Sequence, residues 1–174
     1  MRRMYRMLML ALLILSLSAC EDDDLPDPSQ SGANMMAAKI NGKPWQKNSS
    51  WSVMHGDGLD ASYSGAKGYF WLMGAREADD FDNSIHLSLS GVKHTGDYTL
   101  KEKSSGNYAI LNDYKERNNS KSYLTTAAST GRVTVTKLDT VNRIVSGTFS
   151  FRAYLQGSTT EYVNVTDGRF DVKY

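Results

Sequence analysis

The chain is poor in residues that cross-link, bend or titrate, with one cysteine, three prolines and three histidines in 174 residues. A single cysteine allows no intramolecular disulfide, so any fold must rest on its hydrophobic core. No apolar run approaches the roughly 18 residues of a membrane-spanning helix. An excess of charge of one sign is also missing, since 20 basic residues face 19 acidic ones. Without a Lys/Arg cluster, nucleic-acid binding loses its electrostatic basis. The chain has no G-x-S-x-G elbow, no S-x-x-K in a supporting context and no H-x-H or H-E-x-x-H pair. Nothing in it calls for a cofactor.

What is present begins with an address. Arg2, Arg3 and Arg6 precede an apolar run, Met7 to Ile14, that closes on Leu17-Ser18-Ala19-Cys20. A cationic head, an apolar segment within the roughly 7–15 residues of an h-region and small residues at its end make residues 1–19 a secretory signal peptide. Leu17-Ser18-Ala19-Cys20 resembles the lipobox of bacterial lipoprotein signals. That resemblance implies that Cys20 is lipidated and becomes the mature N-terminus, and several acyl chains would anchor it stably where one would not. After Cys20 come Glu21, Asp22, Asp23 and Asp24, then a Pro/Ser/Gly-rich stretch. Residues 20–33 therefore read as a disordered, self-repelling tether. The acidic run resembles the export signal of Bacteroidota surface lipoproteins, which implies the outer face of the outer membrane. Loss of the three signal arginines leaves 17 basic against 19 acidic residues, a formal charge of −2.

Residues 34–174 have the length of one domain. Alternation dominates it: Ile85, Leu87 and Leu89 share one face of a strand while His86, Ser88 and Ser90 share the other. The same period recurs at Val133/Val135, Phe149/Phe151, Val163/Val165 and Phe170/Val172. Turn dipeptides separate these runs, among them Asn41-Gly42, Ser105-Gly106 and Asp167-Gly168, the last reading as a hairpin between two strands. The stretch Asn112 to Ser120 lacks an apolar face and reads as a long loop. The pattern predicts an all-β fold, a single antiparallel β-sandwich or flattened β-barrel. Ala38-Lys39-Ile40-Asn41-Gly42-Lys43-Pro44-Trp45, Gly96-Asp97-Tyr98-Thr99-Leu100, Ile144 to Phe151 and Thr166 to Val172 are similar to segments of a class of small β-rich Bacteroidota lipoproteins, mostly uncharacterised. The resemblance implies fold and location and supplies no catalytic residues.

The remaining motifs carry little chemistry. His55, His86 and His94 have no ligand-spaced partners and read as solvated surface side chains. Asp79, Asp80, Asp82 and Asn83 could offer oxygens to calcium, but they lack EF-hand spacing and read as a solvated connection. Tyr69-Phe70-Trp71-Leu72-Met73 is apolar on both faces. Such a strand is either central and covered twice, or half of it forms an aromatic platform of Tyr69 and Trp71 with Trp45 or Trp51. Asp139-Thr140-Val141 resembles the O-glycosylation acceptor that Bacteroidota use on exported proteins, making Thr140 a modification candidate; the alternative is a turn bonded by its own side chains. Three functions follow as expectations. The leading one is a non-enzymatic, membrane-anchored module that binds a glycan, peptide or protein, or supports an envelope assembly. The others are a lipocalin-like carrier of a small apolar ligand and a hydrolase with a noncontiguous site. Oligomeric state is not legible.

Overall fold

The computed structural model describes residues 25–48, 57–77, 82–115, 120–128 and 131–174. Cys20, the Glu21–Asp24 run, Trp51, His55, Asp79 and Asp80 lie outside the described residues. The alternating runs become antiparallel strands, as expected of an all-β fold. In chain order they are β1 (Met35–Ile40), β2 (Lys43–Gln46), β3 (Leu59–Ser64), β4 (Tyr69–Arg76), β5 (Asn83–Leu89), β6 (Gly96–Leu100), β7 (Tyr108–Asp113), β8 (Lys121–Leu124), β9 (Gly131–Asp139), β10 (Ile144–Leu155) and β11 (Tyr162–Lys173). A 3-10 turn at Lys103–Ser105 is the sole helical piece among the described residues.

The sheet runs β2-β1-β11-β10-β8-β7-β5-β4-β3 and forks at β10. Residues 144–151 of that strand pair with β9, which carries β6, while Tyr154 and Leu155 pair with β8. The fork curls the sheet into a half-barrel around one core. Phe70 of β4 stacks on Phe170 of β11 at 5.6 Å across the interior, and Phe149 joins them at 6.4 Å from Phe170. Leu72, Ile85, Leu87, Leu89, Leu100, Val133 and Val135 fill the space between. Each such side chain contributes about 1.5–3 kcal/mol by leaving water. The two margins of the sheet approach one another where the Asn48 N–H donates to the Ala75 carbonyl at 3.2 Å and Arg76 donates to the Pro44 carbonyl at 3.3 Å.

Turn chemistry explains the tight corners. Asn41 and Gly42 have φ of 49° and 80°, and with Ile40 opposite Lys43 they close the two-residue hairpin between β1 and β2. Asp167-Gly168 does something else. The pair lies inside β11, where the register against both β1 and β10 shifts, so it is a bulge within one long strand and corrects the expected hairpin. A left-handed φ of 53° at Asp167 serves a bulge as well as a turn. A Cβ on Gly168 would stand 2.5 Å from the Phe149 carbonyl oxygen, which keeps this site glycine.

Residues 25–33 also differ from expectation. They form a strap docked on the domain, and only the earlier part of the expected tether, residues 20–24, lies outside the described structure. Leu25 is buried, the Pro26 carbonyl accepts from Arg169 at 3.0 Å, and the Gln30 carbonyl accepts from Lys137 at 2.8 Å. The N–H groups of Ser31, Gly32 and Ala33 all donate to the Asp171 carboxylate at 2.9 Å. A segment whose one large apolar side chain is Leu25 can thus be ordered chiefly by polar bonds, with one carboxylate satisfying consecutive amides.

Close packing at β10 gives a first expected result. A Cβ on Gly147 would collide with the Thr134 carbonyl oxygen and lie 2.8 Å from the Phe170 ring. Gly147→Ala should lower stability by about 1–3 kcal/mol, the range for overpacking, seen as a fall in urea midpoint. An unchanged midpoint would show that β9 and Phe170 yield freely.

Candidate functional site: an aromatic and polar sheet face

Residues directly opposite across an antiparallel ladder share a face. From β4 to β11 the register therefore sets Met73, His86, Ile110, Leu124, Tyr154 and Tyr162 in one row, on the side away from the core. At about 4.8 Å per strand the row spans about 24 Å. A neighbouring row holds Ser62, Trp71, Ser88 and Tyr108, and a third holds Ser84, Asn112 and Ser122. The face is neutral over β4, β5 and β7. It carries rings, hydroxyls and amides and almost no formal charge.

His86 sits at its centre. Its Nε2 accepts from the Asn112 amide at 3.2 Å and lies 3.0 Å from the Ser84 hydroxyl, while the Asn112 carbonyl oxygen accepts from Ser122 at 2.7 Å. An accepting Nε2 places the proton on Nδ1. The Trp71 ring meets the imidazole edge-on at 6.3 Å between centroids. Burial lowers the His86 pKa from 6.5 to about 4, so the ring is neutral at physiological pH. The expectation of a solvated His86 is thereby corrected, because the polar side of β5 is a satisfied, half-buried network. His94 is exposed as expected, its Nδ1 2.8 Å from the Thr95 carbonyl.

The four platform candidates separate. Trp45 is wholly buried in the core against Gly74, which corrects its place in the platform. Tyr69, 37% exposed, and Trp71, half-buried, stand two residues apart on the outward face, with Ser88 donating to the Tyr69 hydroxyl at 3.3 Å. Trp51 lies outside the described residues. Sequence reasoning missed Tyr108, Asn112, Tyr154 and Tyr162, which join the face only through strand pairing. Tyr162 is exposed, 5.8 Å from Tyr154, with the Arg152 guanidinium 4.4 Å above its ring.

The other candidates have plainer surroundings. Asp82 is half-buried, Asn83 is buried, and among the described residues no group of three His, Cys, Asp or Glu side chains could hold a metal. Thr140 is exposed in the turn between β9 and β10, where Asp139 accepts from the N–H groups of Val141 and Asn142 at 3.1 and 2.8 Å. The bonds from Asn142 hold the Asp139 carboxyl below its ordinary pKa.

Comparison with known families adds one match, to a domain of unknown function, DUF6252, over residues 34–172. The chain belongs to the DUF6252 family. No curated protein and no solved structure matches it. The matched span coincides with the eleven strands, ending within β11. In this DUF6252 domain the strap up to Ala33 lies outside the family match, although three of its amides bind the domain's last strand.

Proposed function

We propose that this DUF6252 domain is a lipid-anchored, outward-facing binding module of the bacterial outer membrane, without catalytic activity, whose neutral sheet face receives the rings of a glycan. The observation that carries the reading is the juxtaposition of Tyr69, Trp71 and Tyr108 with Ser88, His86 and Asn112 on one outward surface. Apolar rings supply contact area, and a few placed polar groups orient a ligand. A neutral imidazole suits a neutral partner. The carrier reading lacks support because Phe70, Phe149 and Phe170 occupy the interior a ligand would need. A hydrolase is equally unsupported, since Ser84, the serine bonded to His86, is fully buried and the partners of that histidine are a hydroxyl, an amide and an indole.

The binding test is calorimetry of the mature protein against a panel of neutral oligosaccharides. Replacing both Tyr69 and Trp71 by alanine should weaken the best ligand by about tenfold or more, given about 0.5–1.5 kcal/mol per aromatic contact. Equal binding by the double variant would remove the platform. The address has its own test: Cys20→Ala should abolish acyl labelling and leave an unprocessed or released form. Normal labelling of that variant would refute the lipid anchor.

A further inference from the structure

At the other end of β10 the outward face changes character. An open groove of about 440 Å³ lies over β9, β10 and β11, lined by Pro28, Arg132, Thr148, Ser150 and Arg169 among others. A second groove of about 520 Å³ shares Arg132 and Ser150 with it and continues past Thr99 and Lys101. The two therefore form one trough with Arg132 at its middle. We infer that this trough is a second binding site, separate from the aromatic face, and that it takes an acidic oligosaccharide.

The charge and bonding of its lining carry the inference. Arg132 gives one N–H to Asp97 at 3.2 Å, and Asp97 accepts from Thr134 on its other oxygen at 2.6 Å. The carboxylate is thus engaged on both oxygens and fixes the guanidinium. Four of the five guanidinium N–H donors stay available. The hydroxyls of Thr99, Thr148 and Ser150 and the ammonium of Lys101 bond to no partner among the described residues. Arg169 adds a third cation, donating from Nε to the Asp167 carbonyl at 3.3 Å, while the Asp167 carboxylate, also in the lining, pairs with Lys39 at 3.9 Å. The trough offers donors and positive charge, which match a ligand rich in acceptors and bearing carboxylates or sulfates.

Its position selects a sugar over a peptide. An extended peptide gains affinity by pairing its backbone with a free strand edge. Most of this trough crosses the face of β9, β10 and β11, whose main-chain groups already bond to neighbouring strands, and it meets β6 only at its far end, at Thr99 and Leu100. Side-chain hydroxyls and cations, with the one carboxylate of Asp167, make up most of the polar lining there. The strap completes the site, since Pro28 forms a wall and is held there by the bond from Arg169 to the Pro26 carbonyl.

Calorimetry of the mature chain from Cys20, at low salt, tests this with oligogalacturonate, its methyl-esterified form and a sulfated oligosaccharide. At least one acidic probe should bind, the neutral ester about tenfold more weakly or worse, and Arg132→Gln should cost about tenfold, in keeping with one lost charge-assisted contact. Arg132 is 64% exposed on its side chain, so the variant keeps its fold, and Ser150→Ala provides a smaller loss at the same place. The Tyr69/Trp71 double variant should bind the acidic probe normally, which keeps this result independent of the first site. Binding of neither acidic probe, equal binding of the ester, equal binding by Arg132→Gln, or tighter binding of poly-glutamate would overturn the inference.

Discussion

Replacing Asp171 by alanine is expected to lower the unfolding free energy by roughly 4 kcal/mol, the sum of several charge-assisted bonds left without an acceptor. The side chain is fully buried, yet it lies on the outward side of β11, next to core residue Phe170. What covers it is the strap. Three consecutive amides and the Ser146 hydroxyl, at 2.7 Å, converge on its two oxygens. Burial alone would raise this carboxyl's pKa, but the bonds from Ala33, Ser146 and Gly32 outweigh it and hold the group below the ordinary value of 3.8. The stabilisation is therefore complete above that value and fades as pH falls through the lower folded one. Alanine would remove the acceptor of three part-buried N–H groups at once. Asparagine keeps one accepting oxygen and should lose about half as much. Urea denaturation measures the loss, and limited proteolysis between Leu25 and Ala33 reports whether the strap has lifted. A midpoint within about 1 kcal/mol of the original would mean that water serves those amides as well as the carboxylate does.

Much of this architecture is legible in the sequence. Ile85/Leu87/Leu89 and Phe149/Phe151 point inward as their alternation requires, and Asn41-Gly42 makes the turn its composition demands. The errors share a cause. Asp167-Gly168 has the local chemistry of a hairpin, and only the pairing of β11 with both neighbours decides that it is a bulge. The strap reads as disorder because its composition has nothing apolar to bury past Leu25, and its partner is 140 residues away. The candidate site divides similarly. Tyr69 and Trp71 share a face by the period of a strand, so their adjacency could be read directly. Trp45 lies in the core instead, because a lone tryptophan on a four-residue strand does not announce which side of the sheet it takes. His86 alternates with core leucines and so reads as solvated, whereas Asn112, which bonds it across one ladder, is itself held by Ser122 across the next.

That network makes a second large effect measurable. His86 binds a proton at pH 6.5 in the unfolded chain but only near pH 4 in the folded domain. Between those values the unfolded state holds more protons, so stability rises with pH there. The contribution is fully present above about pH 6.5 and is lost progressively as pH falls toward 4, amounting to about 3 kcal/mol at one pKa unit per 1.36 kcal/mol. Burial is the cause of the shift, and the hydrogen-bond geometry agrees with the neutral form. Burial removes water from the imidazolium, and the Asn112 amide donates to the lone pair that a second proton would occupy. His86→Gln retains an acceptor for Asn112 and does not titrate. Its unfolding free energy should vary by less than about 1 kcal/mol from His86 itself between pH 4 and pH 6.5, while the parent domain falls by about 3 kcal/mol over the same interval. The Asp171 carboxyl begins to protonate only below this window, so the two acid losses separate along the pH axis. A titration of the imidazole by NMR gives the independent reading. A folded-state value at or above 6.5 would mean that His86 is solvated after all, and the pH dependence assigned to it would disappear.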